Sequence, residues 1–198
     1  NGNLKKCYGI TVGEYENRVA EQGGRCAICG DFTDRLLVDH DHETSAIRGL
    51  LCRSCNTGLG TFREDENLLL SAVAYLRDPP VSPAISESVL HPLLEHKVPR
   101  RGNPLPVYER NKKLLENYGI NIAIYDAILE LQGGCCAICG SQSVVGETLH
   151  VDHDHGTKRV RGLLCSTCNW GLGFIRDSEH IAFAAIAYLR WHSGHRPD

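Results

Sequence analysis

Asp39, His40, Asp41 and His42 run consecutively ahead of Asn56, and the same residue types recur as Asp152, His153, Asp154 and His155 ahead of Asn169. A neutral imidazole can take a proton near pH 7. A carboxylate and an amide carbonyl are the oxygen donors that a hard cation such as magnesium prefers, with water and a phosphate completing its shell. One isolated Asp-His pair at a strand end would be read as a turn cap, but its recurrence with Asn at a matching position points to a selected site. Arg48 and Arg161 are read as phosphate clamps, with a simple pairing to Asp41 and Asp154 as the alternative. His42 and His155 either assist the site or serve structure.

Ten cysteines accompany these residues, eight of them in four Cys-x-x-Cys pairs. Cys26, Cys29, Cys52 and Cys55, with 22 residues between the pairs, can close a tetrahedral zinc site, and Cys136, Cys139, Cys165 and Cys168 do the same with 25 between. Four protein ligands leave no coordination position for water, so these two zincs are expected to be structural. Cys7 and Cys135 are left over and read as buried thiols, with a spare-ligand role for Cys135, next to Cys136, as the alternative. Metal-binding spacing rather than a disulfide framework implies a reducing, cytoplasmic compartment.

The elements that position these groups occur twice. YGIT at Tyr8 matches YGIN at Tyr118, CAICG at Cys26 matches CAICG at Cys136, VDHDH at Val38 matches Val151, RGLLCRSCN at Arg48 matches RGLLCSTCN at Arg161, and AVAYLR at Ala72 matches AIAYLR at Ala185. Identical Cys, His, Asp and Asn at fixed intervals establish an internal duplication. The second copy carries three extra residues within SQSVVGETLH, expected as a hairpin-loop insertion. Residues 1–77 and 108–198 are thus expected as two units joined by a linker at 78–107, which holds seven of the eight prolines. Its middle, AISESVLHPLLEH, is apolar enough for a short helix. In each copy the pattern predicts a helix, over Thr11–Gln22 in the first and ending there at Gly23-Gly24, and a short strand entering Asp-His-Asp-His at Leu36–Val38 or Leu149–Val151. A helix with Asn56 or Asn169 in its first turn follows, then an amphipathic helix over Glu64–Arg77 or Asp177–Arg190.

VDHDH followed by RGLLCxxCN, bracketed by Cys-x-x-Cys pairs, closely resembles the phage recombination endonuclease VII family of the ββα-metal, HNH-like (His-Me finger) nucleases. The resemblance covers nearly all of each copy. It implies an α+β chain of two tandem ββα-metal units, each with a structural zinc held by four cysteines and with flanking helices. It further implies His40 and His153 as general bases, Asp39 with Asn56 and Asp152 with Asn169 as ligands of one magnesium or manganese ion per site, and His42 and His155 as auxiliary.

The function so implied is a metal-dependent endodeoxyribonuclease, a monomeric pseudo-dimer cutting both DNA strands and leaving 5′-phosphate and 3′-hydroxyl ends. Branched DNA and a short near-palindromic duplex site are both open as substrates, as in junction resolution or in restriction and defence. The competing readings are a nickase with one active copy and a non-catalytic zinc-finger DNA-binding module. The second predicts decay of His or Asn in at least one copy, and neither copy has decayed.

A net charge of −3 is mildly unfavourable for a nucleic-acid partner, and zinc-bound thiolates add negative charge. A local basic cluster offsets this: Lys97, Arg100, Arg101, Arg110, Lys112 and Lys113 face only Glu109 between 97 and 113. No apolar run approaches the ~18 residues of a membrane span. NGNLKKCYGI lacks a signal-peptide core, and the absence of Met, the initiator included, is expected of a trimmed chain. Trp170 and Trp191 are expected to pack inside rather than stack on bases.

Overall fold

The computed structural model describes residues 2–81, 105–142 and 148–193. Among them are eight helices and two separate two-stranded antiparallel sheets, an α+β chain. It divides into two compact units, Asn1–Val73 with Trp170–Asp198, and Ala74–Asn169. The boundaries of the sequence repeats and of the spatial units do not coincide: each unit incorporates the closing segment of the other repeat. AISESVLHPLLEH, Lys97, Arg100, Arg101 and most of the three-residue insertion lie outside the described residues.

The first unit opens with α1 (Gly2–Tyr8) and α2 (Val12–Glu21). Thr11 starts α2 through a capping box: its hydroxyl accepts from Glu14 N, and the Glu14 carboxylate accepts from Thr11 N. Strands β1 (Leu37–His40) and β2 (Ile47–Leu51) pair in the register Val38↔Leu50, Asp39↔Gly49, then His40↔Ile47. The step between the last two leaves Arg48 as the extra residue of a β-bulge, a device that re-aims side chains and breaks alternation. α3 (Arg53–Thr61) packs against both strands and α2 against β2. Arg63 and Glu64 then take left-handed backbone (φ 56° and 54°), so α4 (Glu66–Arg77) begins two residues later than the amphipathic pattern alone implies. Leu50, Leu51, Phe62 and Leu69 are fully buried.

The second unit repeats the plan. It contains α5 (Leu105–Tyr118), which starts inside the expected linker, then α6 (Ile122–Leu131), β3 (His150–His153) and β4 (Val160–Leu164). Asn121 caps α6 by accepting from Ile124 N. Arg161 is the extra residue of the same bulge, between Asp152↔Gly162 and His153↔Val160. α7 (Ser166–Phe174) closes the repeat, and α8 (Glu179–His192), capped by Ser178, completes the first unit. No helix among the described residues is long and apolar enough to cross a membrane. Trp170 and Trp191 correct the packing expectation: they are 67% and 62% exposed.

Candidate active site

Each cysteine quartet is formed by a tight turn and a helix start. The Gly30 amide bonds Cys26 O at 3.0 Å and the Gly140 amide bonds Cys136 O at 2.9 Å, both with left-handed glycine backbone, which brings the first pair of thiols together. The second pair straddles the N-terminus of α3 or α7, where Cys55 N donates to Cys52 Sγ and Cys168 N to Cys165 Sγ at 3.4 Å. All four sulfurs of each quartet lie within 4.8 Å of one another. The Cys29–Cys52 and Cys139–Cys165 separations are 3.8 Å, matching the edge of a tetrahedron with metal–sulfur bonds of about 2.3 Å. Cys26 and Cys136 are each pushed down to about 4, first by a hydrogen bond from Cys55 or Cys168, whose own thiols are pushed up. Such crowded sulfurs cannot all carry charge without a cation among them. The quartets therefore fit two structural zinc ions.

The zinc knuckle is tied to the hairpin by a glutamine that the sequence reading missed. Gln22 Nε2 donates to Arg25 O and Leu50 O at 2.8 and 2.9 Å, and its Oε1 accepts from Leu50 N at 2.9 Å. Gln132 repeats all three bonds with Cys135 O, Leu163 O and Leu163 N. An amide just after a helix that satisfies both the N–H and the C=O of one strand residue is visible in sequence only as a repeated Gln before Gly-Gly.

The four residues of the Asp-His-Asp-His run have distinct surroundings. Asp39 is 5% exposed, and a fork-shaped pair joins it to Arg48: Nε to Oδ2 at 2.7 Å and Nη2 to Oδ1 at 3.0 Å. Arg161 makes the same fork with Asp152 at 2.6 and 2.9 Å. Burial works against the Arg48 cation, but Glu64 and Asp39 outweigh it and hold it firmly charged. Asp41 and Asp154 brace the hairpin loop instead, accepting from the amide and hydroxyl of Thr44 and of Thr157. Neither a phosphate clamp nor a pairing with Asp41 or Asp154 anticipates the observed partner, because the bulge turns each arginine toward the first Asp of the run.

His40 is half-buried, with the Tyr8 ring edge-on at 5.4 Å and the His42 ring at 4.9 Å. His153 sits between Tyr118 at 5.5 Å and His155 at 5.0 Å. Burial, and then the neighbouring His155, hold the His153 imidazolium below the ordinary histidine range, which favours the neutral, proton-accepting form. His42 is exposed, with Nδ1 2.7 Å from Glu64 Oε1, and Glu64 Oε2 accepts from Arg48 at 2.7 Å. Asn56 and Asn169 are half-buried in the first turns of α3 and α7, directly after the last cysteine ligand.

Two tyrosines of the amphipathic helices, given no role by the sequence pattern, complete the sites. Tyr188 of α8 donates to Asp39 Oδ2 at 2.8 Å, and Tyr75 of α4 donates to Asp152 Oδ2 at 2.6 Å. Each tyrosine belongs to the other sequence repeat, at matching positions of AVAYLR and AIAYLR. A cavity of about 210 Å³ opens beside Arg48 in the first unit, bounded by Glu64 and by Arg190 and His192 of α8. His192, pushed down by burial, aligns with Pro79, just past the first repeat, so this imidazole has no counterpart.

Comparison with known proteins picks out both sequence repeats. Residues 1–78 and 111–191 match the recombination endonuclease VII family. Over 86 residues the chain is 46% identical to the Gene 59 protein of Mycobacterium phage D29 and 44% identical to that of Mycobacterium phage L5. Each alignment covers 41% of this chain and 52% of the phage protein, so the chain spans about half the length of these curated relatives. No solved structure matches it. Two family matches, each containing one cysteine quartet and one bulged hairpin, show that the chain belongs to the recombination endonuclease VII family of nucleases.

Proposed function

We propose that the chain is a metal-dependent DNA endonuclease with one active site per repeat, each site hydrolysing one strand. The observation that carries this reading is the complete repetition of the bulged Asp-His pair, in which Asp is buried and charge-paired while His stays half-exposed. A purely structural pair would have no reason to leave its imidazole at the surface beside a second histidine in both copies.

His40 and His153 are assigned as general bases that take a proton from the attacking water. Asp39 with Asn56, and Asp152 with Asn169, offer the hard oxygen donors that suit magnesium or manganese better than zinc. When bound, such an ion polarises the scissile phosphate and stabilises the departing 3′ oxygen, which leaves 5′-phosphate and 3′-hydroxyl ends. Arg48 and Arg161 orient the metal-binding carboxylates, and a phosphate can use only the N–H groups that this task leaves over. His42, held by Glu64, and His155 assist from the open side. Arg110, Lys112 and Lys113 on α5 supply positive charge for the DNA backbone. The sites act together in a monomeric pseudo-dimer on branched DNA or on a near-palindromic duplex site.

The test is cleavage of a four-way junction, linear duplex, mismatched duplex and single-stranded DNA, with magnesium and with EDTA. Magnesium-dependent cutting of at least one of the double-stranded forms is expected, lost in the His40→Ala/His153→Ala double variant. Undiminished cutting by the double variant would sink the site assignment, and binding without cutting by the unaltered protein would favour the non-catalytic module.

A further inference from the structure

We propose that Tyr75 and Tyr188 are positioning residues exchanged between the repeats, each restricting the metal-binding Asp of the other repeat to a single lone pair on Oδ1. The inference rests on the metal-ligand reading of Asp39 and Asp152 given above.

An ionised carboxylate offers about four lone-pair positions. On Asp39, Arg48 takes one position on each oxygen, and Tyr188 takes a second on Oδ2. On Asp152 the same oxygen receives both Arg161 Nε and Tyr75 Oη, while Oδ1 receives Arg161 Nη2. In both sites Oδ2 is filled and Oδ1 keeps one position. A cation must then bind through one oxygen from a fixed direction, because chelation by both oxygens would displace a buried hydrogen bond.

The surroundings agree with this role. Tyr75 and Tyr188 are 3% and 8% exposed, so water does not readily substitute for their hydroxyls. Glycine stands opposite each Asp in the hairpin. A Cβ at Gly49 would lie 3.0 Å from Tyr188 Oη, and one at Gly162 would lie 3.2 Å from Tyr75 Oη. The strand is thus cut back where the hydroxyl enters. A tyrosine serving only the core would need neither the same carboxylate oxygen in both sites nor the facing glycine.

The arrangement predicts crossed effects in the full chain. The His40→Ala background retains the His153 site and the His153→Ala background retains the His40 site. Tyr75→Phe should raise the magnesium concentration for half-maximal nicking roughly tenfold in the first background and leave the second unchanged, since removing a partner that orients a metal ligand costs on the order of tenfold or more in metal affinity. Tyr188→Phe should do the reverse. Manganese titration followed by electron paramagnetic resonance without DNA gives a readout independent of activity. Two equivalents should bind the unaltered chain, with one weakened by either Phe variant and both by the pair. Restoring a donor with p-aminophenylalanine at position 75 should recover tighter manganese binding. Equal losses in both backgrounds, loss confined to the tyrosine's own repeat, or unchanged manganese binding by folded Phe variants would overturn the proposal. Asp39→Asn and Asp152→Asn separate the two levels. If they bind manganese like the unaltered chain, the metal-ligand reading fails; if they lose it and the Phe variants do not, only the tyrosine role fails.

Discussion

Glu64 holds His42 and Arg48 together: one carboxylate oxygen lies 2.7 Å from His42 Nδ1, and the other accepts from Arg48 Nη1 at 2.7 Å. The residue stands in left-handed backbone just past α3, a position that aims its side chain back over the hairpin. It links the exposed His42 to the buried Asp39–Arg48 pair beneath it. At the aligned position the second repeat has Asp177, one methylene shorter.

Glu64→Gln should therefore impair the first site selectively. In the His153→Ala background, nicking should fall by about tenfold, the size of a lost charge-assisted bond. In the His40→Ala background it should be unchanged. Equal rates before and after the substitution in the His153→Ala background would mean that His42 needs no anchor.

Arg48→Ala leaves the Asp39 carboxylate buried with only Tyr188 as donor. Losing one member of a buried pair costs about 3–5 kcal/mol, so thermal unfolding of the zinc-loaded protein should begin at a clearly lower temperature. His40→Ala, at a half-exposed position, should change stability by no more than about 1 kcal/mol. The opposite order, read by circular dichroism, would show that the Arg48–Asp39 fork is not a structural anchor.

Metal analysis should find two zinc ions per chain, and Cys26→Ser should lower that to one. Strong chelation should abolish cooperative unfolding, since units this small depend on metal binding for folding free energy. A chain that melts unchanged after complete zinc removal would contradict the role assigned to the quartets.

The pH dependence of the His153 site follows from its burial. A lowered imidazole pKa keeps the base unprotonated to lower pH, so activity is retained below the free histidine value and is lost only as the pH falls through the lowered one. With His40→Ala isolating this site, the acid limb of the rate profile should fall below about 6.5, the ordinary imidazole value. An acid limb above that value would exclude His153 as a half-buried neutral base.

Much of this architecture is legible in the sequence. The zinc quartets, the duplication, the capped helix after Thr11 and the strand into Asp-His-Asp-His all follow from spacing and local chemistry. The partner of Arg48 does not, because a β-bulge shifts register without altering hydropathy. Nor does the exchange of terminal helices: AVAYLR and AIAYLR present nearly identical apolar faces, so residue pattern cannot say which hairpin receives Tyr75 or Tyr188. The exposed Trp170 and Trp191 show the same limit, since an aromatic residue on a helix reads as core unless its face is known.

The most direct test of one active site per repeat is cleavage of supercoiled plasmid with magnesium by His40→Ala, His153→Ala and the double variant. Each single variant should stop at nicked circles and the double variant should be inert. Full linearisation by either single variant acting alone would contradict the division of labour between the repeats.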